Sequence, residues 1–176
     1  AQTTIGNPAN ERVRMGSLAG QSQRIEVKEQ VQKLLASSQI IYGSLDSVEV
    51  IDADANKGAF ISPLLLLNEK PLQSTAVHEV EAFGPVATLM PYQNMDEAIH
   101  LSRMGKGSLC SSIVTANDAI AKKYVLGAAN YHGRILVLNN DCAKESTGHG
   151  SPLPLLIHGG PGRAGPTDRG WGPPAS

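Results

Sequence analysis

The chain has 176 residues, of which 41% are hydrophobic and 18% charged, and its formal net charge is -1. This length suits one principal domain with a buried core, and the near-neutral charge excludes the broad basic surface typical of proteins that bind nucleic acid or anionic membranes. No apolar run approaches the ~20 residues of a membrane span, and the polar start does not resemble a signal peptide, so we expect a cytoplasmic globular protein.

The cysteines and histidines predict neither a disulfide framework nor a metal site. Two cysteines without a CxxC spacing and five scattered histidines lack the spacing of a zinc site. Cys110 lies in a predicted strand, where we expect it in the core, and Cys142 follows on a loop as an exposed thiol. We predict neither cysteine to be a nucleophile.

The first half of the chain indicates one helix followed by short strands. Within 21–38, apolar residues recur at positions i, i+4, i+7 and i+8, which predicts an amphipathic helix; they are Val27, Val31, Leu34 and Leu35. Three β-rich runs separated by turn residues follow and predict strands at 40–42, 47–51 and 60–67.

The second half alternates strands and helices. A strand is predicted at 86–92, then a helix over 95–104, capped by Asn94 with Glu97 closing a capping box and ended by Gly105. A strand at 108–115 precedes a second helix, capped by Asn117 and ended at Gly133. One face of this helix carries Ile120, Tyr124 and Ala128, and a last strand covers 134–139. This order predicts an α/β fold with a parallel-rich sheet and right-handed crossover helices.

Residues 148–176 hold eight glycines and six prolines, which predicts a long loop or tail. Within it, 160–165 satisfies the G-x-G-x-x-G pattern of dinucleotide-binding folds. Pro161 and the surrounding glycines and prolines disfavour the helix that would give this pattern its phosphate-binding meaning, so we do not predict a cofactor site here.

The most informative residues are Glu81 and Phe83, which are followed by Gly84 and Pro85 at the entrance of a predicted strand. A fixed carboxylate can accept hydrogen bonds from two vicinal ribose hydroxyls, and a nearby ring can pack on a flat nicotinamide. By themselves, these residue types favour a simpler interpretation, in which Glu81 is a solvated acid and Phe83 belongs to the core.

The segment 81–85, Glu-Ala-Phe-Gly-Pro, resembles the E-x-F-G-P signature of the aldehyde dehydrogenase superfamily. Further family-like motifs follow the family order, and the resemblance covers about 5–165. They lie at 5–8, 16–18, 58–63, 96–99 and 133–139. Residues 76–91, and especially 143–154 and 158–165, resemble most closely the dehydrogenase domains of bifunctional ring-opening enzymes of phenylacetate degradation. Related dehydrogenases of the coenzyme A-dependent benzoate pathway are the nearest alternative.

The resemblance implies part of an aldehyde dehydrogenase catalytic domain that oxidises a CoA-linked semialdehyde to the acid with NADP or NAD. It implies that Glu81 holds the nicotinamide ribose and Phe83 flanks the nicotinamide. Asn139 would lie near the inner end of the substrate tunnel, and Ser146 and His149 would belong to a loop at its mouth. The expected segments are a catalytic-domain part (1–147), a substrate-mouth loop (148–165) and a divergent, disordered tail (166–176).

In this family the nucleophilic cysteine and the base glutamate precede the segment that the chain resembles. We therefore expect the chain to hold only the nicotinamide-ribose end of the cofactor and to be inactive alone. The alternative is a non-catalytic structural module that packs against a full-length subunit or a second copy of the chain. The family's usual dimer exchange is placed in doubt by 166–176, which lack a strand period.

Overall fold

The computed structural model describes residues 3–146, 148 and 159–165. The chain divides between Pro91 and Tyr92 into two compact units, and each contains helices and parallel strands. The predicted α/β class is therefore confirmed. The division lies inside the segment 1–147 expected as one piece, and the predicted segment boundaries stay predictions.

The first unit is a three-stranded sheet with two helices. Its order along the chain is α1 (Gln21–Leu34), β1 (Gln39–Tyr42), β2 (Leu64–Leu67), α2 (Ala76–Glu79) and β3 (Val86–Leu89). Strand β2 is central, antiparallel to β1 and parallel to β3.

Helix α1 packs its apolar stripe onto this sheet. Val27 and Val31 are fully buried and form a core cluster with Ile61 and Leu64. The predicted helix is confirmed, although it ends at Leu34, four residues before the predicted end.

Asn68, directly after β2, is a buried polar side chain with only 1% of its surface exposed. Its amide nitrogen donates to the Ser37 carbonyl oxygen at 2.8 Å, and its amide oxygen accepts from the Lys70 backbone N–H at 3.0 Å. The first bond joins the end of β2 to the turn after α1, and the second lies within the turn that follows β2. Loss of the amide would leave the Ser37 carbonyl oxygen and the Lys70 N–H without these partners.

Three strand predictions are wrong or too long, and one of them is the strand predicted at 86–92, which ends at Leu89. Residues 47–51 form no strand and contribute only an isolated bridge between Ile51 and Gly6. The predicted strand 60–67 is paired only from Leu64 onward, although Phe60 and Ile61 are buried. An apolar run predicts burial, and Phe60 and Ile61 are buried without joining a hydrogen-bonded ladder, whereas none of the residues 47–51 is buried.

The second unit contains α3 (Met95–Met104), β4 (Ser108–Val114), α4 (Asp118–Ala128) and β5 (His132–Leu138). Strands β4 and β5 run parallel in a two-stranded sheet. A buried cluster fills this unit, formed by Ile99, Ile113, Tyr124 and Ala128. Strand β3, expected to continue into this alternation, pairs with β2 in the first unit instead.

Both predicted asparagine caps are confirmed. The Asn94 side chain accepts from the Glu97 N–H at 3.0 Å, and Asn117 caps α4. The Glu97 carboxylate in turn accepts from the N–H of Gln93 at 3.1 Å, and Gln93 lies one residue before the cap.

The ends of these helices differ from their prediction in detail. Helix α4 ends at Ala128 and is followed by a 3-10 turn, so it does not reach Gly133. Its buried face uses Ala121 in place of Ile120, which is 37% exposed. Gly105 does follow α3, but with a right-handed backbone. None of the helices in the described ranges is long and apolar enough to span a membrane.

We predict that Asn68→Leu lowers the free energy of unfolding by about 3 kcal/mol, because a leucine of similar size leaves two backbone groups unsatisfied. Urea unfolding followed by circular dichroism measures this loss. Asn140→Leu, at an exposed position, is the matched control. An equal response of the two variants would contradict the bridging role of Asn68.

Candidate functional site

The segment 81–85 connects helix α2 to strand β3 through two tight turns. The Gly84 N–H donates to the Ala82 carbonyl oxygen at 2.7 Å, and the Val86 N–H donates to the Gly84 carbonyl oxygen at 2.8 Å. The Pro85 carbonyl oxygen then accepts from the Leu64 N–H at 2.9 Å, which begins the pairing of β3 with β2. The segment is therefore fixed at its carboxyl end by the sheet.

Side chains in this segment alternate between the core and the solvent. Ala82 packs against the cluster around Val27, whereas Glu81 and Phe83 on either side of it are exposed. Phe83 is 69% exposed, so the interpretation of Phe83 as a core residue is wrong. An exposed aromatic ring beside an exposed carboxylate is the arrangement that a flat, hydroxyl-bearing ligand can use.

Glu81 also lines a cavity of about 280 Å³. Its lining comprises Leu34, Val77, Val80, Glu81, Ala82, Val86 and Thr88. Phe83 is not part of this lining, so the two side chains project from one segment without sharing this cavity.

The predicted substrate residues belong to the second unit, whereas Glu81 and Phe83 belong to the first. Asn139 follows β5, and its side-chain oxygen accepts from the N–H groups of Asp141 at 3.0 Å and Cys142 at 3.1 Å. The Ser146 hydroxyl oxygen accepts from the Gly148 N–H at 3.1 Å. Both oxygens thus stabilise local turns. His149 lies outside the described residues, and all three substrate roles stay predictions.

The two cysteines differ in environment. Cys142 is exposed as predicted, and its sulfur accepts from the Asn139 N–H at 3.4 Å. Cys110 in β4 is only partly buried, although a core position was predicted. Over the ranges that the structure describes, no group of three His, Cys, Asp or Glu residues could hold a metal ion.

The glycine pattern at 160–165 contains a single 3-10 turn over Gly162–Ala164. Three residues in this conformation do not provide the row of free N–H groups that an α-helix offers to a phosphate.

Comparisons with known proteins agree on one family. The aldehyde dehydrogenase family profile matches residues 1–133. The chain is 50% identical over 153 residues to protein MaoC of Klebsiella aerogenes, covering 86% of this chain and 44% of that protein. It is 39% identical over 168 residues to a 3,4-dehydroadipyl-CoA semialdehyde dehydrogenase of Aromatoleum evansii, covering 96% of this chain and 32% of that protein. The chain therefore spans less than half the length of either relative.

Solved structures share the fold. An aldehyde dehydrogenase C mutant from Pseudomonas syringae, in complex with NAD+ and octanal, has a TM-score of 0.73 at 18% identity and matches 92% of this chain and 30% of its own. A succinic semialdehyde dehydrogenase from Streptococcus pyogenes, in complex with NADP+, has a TM-score of 0.72 at 20% identity. The match covers 93% of this chain and 32% of that enzyme's chain. At these identities the likeness concerns the fold alone.

A serine–histidine pair that the sequence did not indicate lies where β4 and β5 begin. The Ser108 hydroxyl and His132 Nδ1 are 2.6 Å apart, and the hydroxyl donates to the Cys110 carbonyl oxygen at 3.0 Å. Since the hydroxyl proton is used there, we assign the Nδ1–H as donor to the serine oxygen. The serine is thus held as a structural acceptor and not activated as a nucleophile. The parallel register, which pairs Ser108 with His132, creates the contact across 24 residues.

His132 is buried, and its Nε2 has no hydrogen-bond partner in the described part of the chain. Burial lowers the pKa of His132 from its ordinary value of 6.5, because the charged imidazolium would lose its hydration. In the unfolded chain this imidazole takes up a proton near pH 6.5, whereas in the folded chain it stays neutral to lower pH.

We therefore predict that His132 makes the free energy of unfolding decrease as pH falls below 6.5. The decrease is at most about 1.4 kcal/mol per pH unit until the folded pKa is reached. His132→Gln should remove this contribution to the slope, and the exposed His100→Gln is the control. Urea unfolding at a series of pH values tests it, and an unchanged slope in His132→Gln would contradict it.

Proposed function

Because this chain belongs to the aldehyde dehydrogenase family, we propose that it supplies the nicotinamide-ribose end of an NAD(P) site. The observation that carries this proposal is the outward projection of Glu81 and Phe83 on either side of the inward-facing Ala82. A segment built only for packing would turn its phenylalanine ring inward.

The residues present fit the proposed group. The two oxygens of the Glu81 carboxylate can accept hydrogen bonds from both vicinal hydroxyls of a ribose, which fixes the sugar's orientation. The exposed Phe83 ring offers a flat apolar surface to a nicotinamide. When bound, NAD(P) accepts the hydride that leaves the substrate carbon. The task of Glu81 and Phe83 is to orient the cofactor ring before that transfer.

The proposed substrate class is a CoA-linked semialdehyde, oxidised to the acid in aromatic catabolism of the phenylacetate type. Support comes from the relative named 3,4-dehydroadipyl-CoA semialdehyde dehydrogenase and from the motif resemblance of 143–154 and 158–165. Asn139, Ser146 and His149 would serve the substrate side. We propose NADP as the cofactor, following the same resemblance, with NAD as the alternative.

We further propose that the chain is catalytically incomplete alone. Aldehyde oxidation of this kind needs a thiolate that adds to the aldehyde and a base that activates water. The family's cysteine and glutamate for these tasks correspond to no residue that the resemblance maps onto this chain. Cys142 is engaged in the turn at Asn139, and Cys110 is partly buried in a strand.

The second candidate function is a structural module that packs against a full-length subunit. The observation that favours it is the two-stranded sheet β4–β5, which carries exposed apolar side chains. Val114 is 78% exposed, and Leu109 and Val137 are also exposed. Size-exclusion chromatography with a full-length homologue tests this role, for which co-elution is expected and separate elution would count against it.

For the cofactor role, we predict that the chain binds nicotinamide mononucleotide weakly, with a Kd of about 1 mM. Glu81→Gln should weaken this binding about tenfold or more, because it removes a charged acceptor of the ribose hydroxyls. Titration followed by NMR chemical shifts measures both.

The matched control is Glu79→Gln, an equal charge change at an exposed position two residues away. Equal weakening by both variants would reduce the effect to net charge, and absence of binding to the unmodified chain would refute the proposed cofactor role. We expect no aldehyde oxidation by the purified chain with NADP. Turnover that is lost in Glu81→Ala would overturn the proposal of incompleteness.

A further inference from the structure

The side chain of Gln23, in the first turn of α1, forms two hydrogen bonds in opposite directions. Its amide oxygen accepts from the Ala19 N–H at 3.0 Å, and its amide nitrogen donates to the Phe83 carbonyl oxygen at 2.8 Å. The second bond spans 60 residues of sequence and reaches the middle of the segment 81–85. One side chain therefore links the start of α1 to the backbone between Glu81 and Gly84.

The same helix supports the segment one turn further along. A Cβ atom on Gly84 would lie 2.9 and 3.0 Å from the two methyl groups of Val27, which is fully buried. Residues 23 and 27 are four apart and thus lie on one helix face. Gln23 holds the Phe83 carbonyl group and Val27 supports the next residue.

We propose that Gln23 is a positioning residue, which fixes the backbone of the segment 81–85 and so sets the direction in which Glu81 and Phe83 project. That these side chains meet a nicotinamide ribose rests on the proposed function. The fixing of the segment rests on the contacts alone. The Cα–Cβ bond of each residue leaves this backbone, so an anchored backbone fixes the point and direction from which each side chain starts.

The donor and acceptor atoms explain why this position holds glutamine. Gly20, which precedes the helix, has no side chain to cap it, and Gln23 occupies the third helical position. In α3 the third position is Glu97, whose carboxylate accepts from the N–H of Gln93. A carboxylate satisfies that N–H group equally well. It has no hydrogen to donate, however, so at position 23 it could not hold the Phe83 carbonyl group.

Gln23→Glu therefore separates the two bonds. The carboxylate keeps the acceptor for Ala19 and suits the positive end of the helix, but it places an anionic oxygen against the Phe83 carbonyl oxygen. We expect amide hydrogen exchange at Gly84 and Val86 to accelerate about tenfold, while the Ala19 amide stays protected and the urea midpoint does not fall. Gln23→Ala should accelerate exchange at all three amides, and Gln32→Ala, an exposed change on the same helix, at none.

Nicotinamide mononucleotide titration of the same variants supplies the functional readout. Gln23→Glu should weaken binding about fivefold although Glu81 and Phe83 are intact. Unchanged exchange at Gly84 and Val86 in Gln23→Glu would overturn the proposal, as would altered exchange with unaltered nucleotide affinity. Accelerated exchange in a chain whose unmodified form binds no nucleotide would support the anchor and refute the proposed cofactor role instead.

Discussion

Close contact between helix α1 and the backbone at Gly84 is the constraint on which the first unit depends. Val27 is buried on the side of the helix that faces the sheet, and Gly84 leaves just enough room for its methyl groups. In the backbone held there, Ala82 packs against the core, and the residues on either side of it are exposed. The same position brings the Pro85 carbonyl group to Leu64, which fixes the register of β2 and β3.

Features that depend on local sequence could be predicted. The spacing of Val27, Val31 and Leu34 reports one helix face, and the caps at Asn94 and Asn117 form within three residues of themselves. Features that depend on pairing partners could not. Residues 47–51 and 60–63 carry the composition of strands, but composition does not reveal whether a partner's N–H and C=O groups are within reach.

The candidate site divides along the same line. The residue pattern around Glu81 and Phe83 singled out the segment. Only the family resemblance predicted a role in cofactor binding, because the residue types alone favoured a solvated acid and a core phenylalanine. The exposure of the Phe83 ring follows from Ala82 facing the core, which requires knowing where α1 lies. The bond from Gln23 to Phe83 spans 60 residues of sequence, and the Ser108–His132 bond spans 24. No local sequence pattern predicts contacts over such separations.

Glycines in the second unit show the same constraint in another form. The segment 159–165 lies against the backbone at the start of β4, where the Arg163 N–H donates to the Lys106 carbonyl oxygen at 3.2 Å. A Cβ atom on Gly160 would lie 2.3 Å from the Ser108 carbonyl oxygen, and Gly162 has a φ of +56°. In nucleotide-binding folds, glycines at this spacing let the backbone approach a pyrophosphate. Here the glycines let the backbone approach another stretch of backbone. The pattern therefore indicates that something lies close to the backbone, and the structure shows whether that is a ligand or another part of the chain.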